Sequence, residues 1–215
     1  MSVTASNNSI PKSSMTGLLV KIKHRFPSLW RMVEALNGHL MRLRYPRLPE
    51  IAATLAASRT VDGLEWSIVT PDDADRLSRF LTSIPSERLQ YFDPHPFDPS
   101  TLRTMASSRS FVMLKVTDGN RIVGYHFLRC FFIGKTFHGL IVDAATTGRG
   151  IGTAMWSLGA EISHSAGLRM FATISEDNLP SLTSCHNGCA TRIAERLDSG
   201  YLLISCSPKS SAPKS

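Results

Sequence analysis

Residues 146–155 read TTGRGIGTAM, and their types and spacing suit one kind of chemistry. The glycines Gly148, Gly150 and Gly152 follow the apolar run FHGLIV (137–142) and precede GTAMWSLGAEISHSAG, whose apolar residues recur at helical spacing. Strand, glycine turn and helix in that order aim successive backbone N–H groups, and about half a positive charge from the helix N-terminus, at one concave spot. The expected ligand is an anion, most simply a phosphate. Gly150 and Gly152 let the backbone approach it with no Cβ in the way, and Arg149 can add a charge-assisted contact.

Two common phosphate sites fit less well. A dinucleotide fingerprint needs a third glycine where Thr153 stands, with Glu176 or Asp177 acting on a ribose. An antiparallel meander before the turn, and only residues 156–215 after it, leave no room for a second nucleotide-binding half. A Walker loop is excluded because Gly134-Lys135-Thr136, the one GK[ST], lies apart from this turn and has Arg129 where the first glycine is required.

The elements that must position this turn are legible in outline. LEWSIV (64–69) reads as a strand, and Asp72 can cap a helix running to about Thr82. SIPSERLQYFDPHPFDPS (83–100) holds four prolines and reads as an ordered loop between helices. FVMLKV (111–116), TDGN and RIVGYHFLRC (121–130) form an antiparallel hairpin, and residues 137–142 supply its third strand. MFATIS is a further strand, and ATRIAERL with YLLIS around Asp198-Ser199-Gly200 forms a last hairpin. The expected fold class is mixed α+β, a central, mostly antiparallel sheet flanked by helices, with an N-terminal helical extension.

IVDAATTGRGIGTAM resembles the coenzyme A-binding motif of the GNAT acyltransferase superfamily, a strand ending near Val-x-Pro followed by (Gln/Arg)-x-x-Gly-x-(Gly/Ala). Val142 and Ala144 match the first part, and Thr147, Gly148, Arg149, Gly150, Ile151 and Gly152 the second, with Thr147 in place of Gln or Arg. Downstream, Asn178 and Ser181 stand where that superfamily carries Asn-x-x-(Ala/Ser). The resemblance covers roughly residues 64–205. It implies an acyl-coenzyme A co-substrate, acetyl-CoA first, held by Ile141, Val142, residues 147–153 including Thr153, and Asn178 with Ser181. Asn178 is equally an expected helix cap. The tyrosine that commonly protonates the departing thiolate is absent, with Ser184-Cys185-His186 near its place.

The implied reaction is attack of a neutral amine on the thioester, which needs a proton acceptor and a backbone donor for the oxyanion near Ile141 and Val142. Asp143, His138, His126 and Glu176 are the candidate bases, and residue types leave the choice among them open. In the loop YFDPHPFD, Tyr91 and Phe92 can wall an acceptor pocket while Asp93 and His95 bind hydroxyl or ammonium groups, with Tyr125 on the neighbouring strand. The loop also resembles a segment of superfamily members linked to amino-sugar and surface-polysaccharide metabolism. A rigid aromatic plug of the core is the alternative reading. Three functions stay open: a small-molecule N-acyltransferase, an acyl-CoA-binding interaction module, and a protein or peptide acetyltransferase.

Composition bounds these readings. In 215 residues with 42% hydrophobic content, no apolar run is long enough to span a bilayer, and the N-terminus lacks a secretory pattern, so the cytosol is expected. Cys185, His186 and Cys189 lack a second ligand pair, so no metal is expected. Nine Lys/Arg against Glu34 and Glu50 put the entire net charge of +7 in residues 1–60. No nucleic-acid reader motif accompanies them. Leu29, Val33, Leu36, Leu40 and Leu43 form one helical stripe, so a helix over 28–45 can meet its own domain, a second subunit in a homodimer, or an anionic inner membrane surface. Segmentation is expected as a disordered 1–15, a basic extension 16–60, an acyltransferase domain 61–205 and a disordered tail 206–215.

Overall fold

The computed structural model describes residues 27–61, 63–197 and 200–209. Among these the chain forms helices α1 (Pro27–Arg44) and α2 (Leu48–Ala57), strand β1 (Glu65–Ile68), and helices α3 (Ala74–Thr82), α4 (Ser86–Leu89) and α5 (Pro99–Ser107). Strands β2 (Phe111–Asp118), β3 (Arg121–Phe131) and β4 (Lys135–Val142) follow, then helix α6 (Ile151–Ser165), strand β5 (Arg169–Ser175), helix α7 (Leu179–Gly188), and strands β6 (Ala190–Leu197) and β7 (Tyr201–Ser207).

The fold is α+β, a mostly antiparallel sheet in the order β1-β2-β3-β4-β5-β7-β6 flanked by helices. The expected hairpin turns at Gly119-Asn120, where Gly119 takes φ 54°, a conformation a two-residue turn favours and most residues resist. Only β4 and β5 pair in parallel, because α6 carries the chain across between them.

Strand alternation sorts the side chains onto two faces. Leu114, Val116 and Leu128 lie under Met155, Trp156 and Leu158 of α6 and Ala52 and Ala56 of α2. Met113, Tyr125, Phe127 and Ile141 lie on the other face under Leu77 and Leu81 of α3 and Leu102 of α5. Each large apolar side chain so buried contributes about 1.5–3 kcal/mol, which ties the helices to the sheet more strongly than helix propensity does.

Several expectations shift. Asp72 is exposed and caps nothing; Pro71 opens a short 3₁₀ turn, so the cap moves to Thr70, whose N–H and hydroxyl donate to Asp73 at 2.9 and 3.0 Å. The stripe on the first helix is not a buried seam. Val33, Leu36 and Leu43 are 47%, 58% and 67% exposed, and Met41 is buried instead. The chain turns at Pro46 directly into α2, so the last turn of α1 meets the core through Met41. The side chains of Leu29 and Trp30, and residues 1–15, lie outside the described residues.

The described chain divides into two units between Asn37 and Gly38. Met41, Leu48, Ala52 and Ala56 share one core with the sheet, so residues 38–60 are structural rather than a basic appendage. At the other end Cys206 and Ser207 still pair with Thr191 and Ala190, so the last strand passes the expected limit of 205; residues 210–215 are not described. No helix among the described residues is long and apolar enough to cross a membrane.

Gly188 shows how closely α7 seats on α6: a Cβ there would lie 2.4 Å from the Thr153 carbonyl oxygen and 2.6 Å from the Trp156 Cβ. Neither neighbour is a flexible tip. Gly188→Ala is expected to destabilise the protein by about 1–3 kcal/mol, read as a lower urea midpoint with an unchanged slope.

Candidate active site

Pairing between β4 and β5 runs from Lys135/Arg169 to Phe137/Phe171 and then stops. Beyond it β4 stays paired with β3 as far as Val142. In an antiparallel ladder every second residue turns its N–H and C=O away from its partner strand. At residues 138 and 140 those groups therefore face a gap instead of β5, and at Val142 the carbonyl accepts from Arg88.

The glycine turn closes one end of that gap. The Asp143 N–H donates to the Val123 carbonyl at 2.8 Å, its carboxylate accepts from the Ala145 N–H at 3.1 Å, and the buried Thr146 hydroxyl donates back to the Asp143 carbonyl at 3.0 Å. These bonds hold a 3₁₀ turn at Ala144–Thr146. Gly148 and Gly150 then take φ 91° and 76°, with open space where a Cβ would stand. The first intrahelical bond of α6 runs from Ala154 to the Gly150 carbonyl, and no side chain caps the helix. The N–H groups of Ile151, Gly152 and Thr153 are left as orphan donors of the first turn.

Those donors border a cavity of about 550 Å³ lined by Val142, Thr146, Thr147, Gly148 and residues 150–153 on one side. Leu179, Pro180, Thr183, Ser184 and Asn187 of α7 form the opposite wall, and Arg88 of α4 reaches in. An anion on the donors, with a slender chain laid into the strand gap, is what this arrangement can hold.

The acetyltransferase (GNAT) family model matches residues 78–184, from α3 into α7, the stretch that contains the gap and the turn. The chain carries a GNAT superfamily acetyltransferase domain. Its fold is shared with the GNAT domain of S. lividans PAT (18% identity, TM-score 0.56, 65% of this chain and 88% of that one). Mycobacterium smegmatis RimJ in complex with CoA-disulfide is similar (19% identity, TM-score 0.55, 71% and 85%). So is aminoglycoside acetyltransferase AAC(6′)-Ib in complex with coenzyme A and kanamycin (13% identity, TM-score 0.52, 68% and 95%). No curated protein matches the sequence.

Within the GNAT domain the expected cofactor residues divide. Val142, Thr147, Gly148, Gly150, Ile151, Gly152 and Thr153 all line the cavity. Ile141 points the other way into the core under α3 and α5. Arg149 turns from the cavity to Asp118, at 3.1 Å, because residues flanking the left-handed Gly148 and Gly150 leave the turn in another direction. Asn178 acts as the helix cap, its side-chain oxygen accepting from the Ser181 N–H at 3.2 Å, and neither residue lines the cavity. Residue types did not single out Arg88, Leu179, Thr183 or Asn187. The i, i+4 spacing of 179, 183 and 187 marks one face of α7, which becomes informative only once α7 is known to flank α6.

The candidate bases also separate. His126 and His138 are buried on the face under α6, joined Nδ1 to Nε2 at 3.1 Å, with His138 against Trp156 at a centroid distance of 4.4 Å. They alternate with Tyr125 and Gly139 and so sit across the sheet from the loop that carries His95. This corrects the expectation that either could meet an incoming amine. Asp143 caps its own turn and pairs with Arg121 at 3.1 Å, and Glu176 pairs with Arg196. His95 Nδ1 meets the Pro96 carbonyl at 2.9 Å and its Nε2 meets the Tyr125 hydroxyl at 3.1 Å. With Nδ1–H as the donor, Nε2 accepts from Tyr125. Phe92 is buried beside them as part of the core, while Tyr91 and Asp93 are exposed. Cys185 and Cys189 point into the core, with Cys189 donating to the Trp156 carbonyl at 3.2 Å, whereas His186 is exposed and bonds Thr191 at 2.5 Å.

Burial holds His138 down at about 3, and burial, aided by His138 and Arg59, holds His126 well below its ordinary value. Both are neutral in the fold and take up protons on unfolding. Their stabilisation is full above about pH 6.5 and is lost as pH falls toward the folded values, by up to about 1.4 kcal/mol per pH unit for each. The urea midpoint is expected to drop steeply between pH 6.5 and 4, and His138→Gln should flatten that slope.

Proposed function

We propose that this GNAT domain moves an acetyl or other acyl group from coenzyme A to a primary amine of a small molecule, with an amino sugar as the acceptor class. The observation that carries this is the cavity between α6 and α7, in which orphan N–H donors at the glycine turn stand beside Val142, the end of β4, beyond the point where β4 and β5 have parted. A pyrophosphate fits the donors and a pantetheine arm fits the gap, its amides able to pair with the outward-facing strand groups of residues 138 and 140. The complexes of RimJ with CoA-disulfide and of AAC(6′)-Ib with coenzyme A and kanamycin support the same reading.

The acceptor side is the face of the sheet away from α6. Beyond β4 that face carries Phe171, Thr173, Tyr201 and Leu203, half-buried or exposed, with Glu195 paired opposite Leu203. Apolar patches edged by hydroxyls and a carboxylate suit a ring that bears hydroxyl and ammonium groups. The amine nitrogen bonds to the thioester carbon, the C–S bond breaks, and one amine proton ends on the departing sulfur.

His95 is the proton acceptor in this reading. Phe127 lies over Gly139 of β4, where a Cβ would come within 2.6 Å of its ring, and His95 stacks edgewise on Phe127 at 5.5 Å. His95 thus lies on the face of β3 beside Phe127 and Tyr125, and because its Nε2 accepts from the Tyr125 hydroxyl, the amine proton reaches it by relay: Tyr125 gives its proton to Nε2 as its oxygen takes one from the amine. Burial lowers the His95 pKa, against the opposing pull of the Pro96 carbonyl and Asp93, so the ring is neutral at pH 7. A base must be neutral to act, so kcat/KM should fall as pH drops below about 6.5.

Free-thiol release from acetyl-CoA, measured over a panel of amino sugars, amino acids and peptides, tests the reading. Turnover on amino sugars is expected, and His95→Gln should cut kcat roughly 10²- to 10⁴-fold and abolish the acidic limb. Binding of coenzyme A with no turnover on any amine would favour an interaction module, and turnover on peptides alone would move the acceptor class.

A further inference from the structure

Arg88 occupies the mouth of the cavity from outside the glycine turn. Its guanidinium donates to the Val142 carbonyl through Nη2 at 3.2 Å and to the Thr147 hydroxyl through Nη1 at 3.5 Å. Val142 ends β4 and Thr147 begins the glycine turn, so Arg88 bridges the two segments that meet at the gap. Among the described residues lining that cavity Arg88 is the only cation. Arg149, nearer in sequence to the turn, is directed to Asp118, and Arg121 is directed to Asp143.

The charges do not balance without it. A helix N-terminus offers about half a positive charge, and a pyrophosphate diester brings two negative ones. A guanidinium has five N–H donors in a planar fork, and two engaged toward Val142 and Thr147 leave others for phosphate oxygens. The geometry points to Arg88 as the side chain that binds the pyrophosphate of acyl-coenzyme A, a role that rests on the function proposed above. The short helix α4 exists in this position to deliver it: Ser86–Leu89 lies in the proline-rich segment, and Leu89 packs against the core that anchors Phe92. The cofactor clamp and His95 therefore hang on one stretch of chain.

Steady-state thiol release with two donors separates this role from a structural one. Acetyl-CoA carries the pyrophosphate, and S-acetyl-pantetheine does not. Arg88→Ala is expected to raise KM for acetyl-CoA roughly 10- to 100-fold while leaving KM for S-acetyl-pantetheine within about twofold. Arg88→Lys should recover part of the loss, because a point charge keeps attraction without the fork. Adding Thr147→Arg to Arg88→Ala should recover it as well, since a side chain at 147 starts beside the same spot. Added salt should raise KM for acetyl-CoA in the wild type more than in Arg88→Ala. Equal loss with both donors, or no loss with acetyl-CoA, would overturn the assignment. A wild-type protein that takes up no coenzyme A by calorimetry would overturn the functional reading itself, and this assignment with it.

Discussion

Backbone pairing between β4 and β5 ends after Phe137 and Phe171, and the rest of the molecule is arranged around that interruption. Strand edges with unpaired N–H and C=O groups are costly inside a protein unless something satisfies them. Here the edges diverge because α6 must start at the end of β4, cross the sheet and return beside it, and because α7 wedges against α6 through Gly188. What is left is a slot with hydrogen-bonding walls and a donor-lined end. Pantetheine, with amides along a thin chain and a pyrophosphate behind it, has the complementary shape and polarity.

Charge around the slot is arranged so that the glycine turn itself stays open. Arg149 lies within the turn and Arg121 beside its first residue, Asp143, and carboxylates hold both, Asp118 taking the first and Asp143 the second. Such exposed pairs contribute little to stability, so their consequence is directional. Arg88 arrives from a distant segment and is left at the cavity mouth.

The two faces of the sheet give neighbouring histidines opposite lives. His126 and His138 lie beneath α6, where burial keeps them neutral, and act as packing groups. Tyr125 immediately precedes His126 and therefore faces the loop of 91–98, where its hydroxyl meets His95. A shift of one residue in register would exchange these roles. The pairing of Tyr125 with Ile141 and of Leu128 with His138 is thus as consequential for chemistry as the identity of the side chains.

Much of this was legible in the residues themselves. Local signals such as the glycines of TTGRGIGTAM, the alternation through FVMLKV and RIVGYHFLRC, and Asn178 before a helix depend on nearby chain geometry, which residue types encode directly. They determined the strand, turn and helix, the antiparallel meander and the glycine turn with its orphan N–H donors. Tertiary structure decided what depends on contacts between distant segments. It drew Met41 rather than the leucine stripe into the core, turned Arg149 to Asp118, brought Arg88 to Val142 across 54 positions of chain, and buried His126 and His138 on one face while setting His95 against Tyr125 on the other. A side chain's direction and charge partner follow from which elements pack together, and no local spacing carries that information.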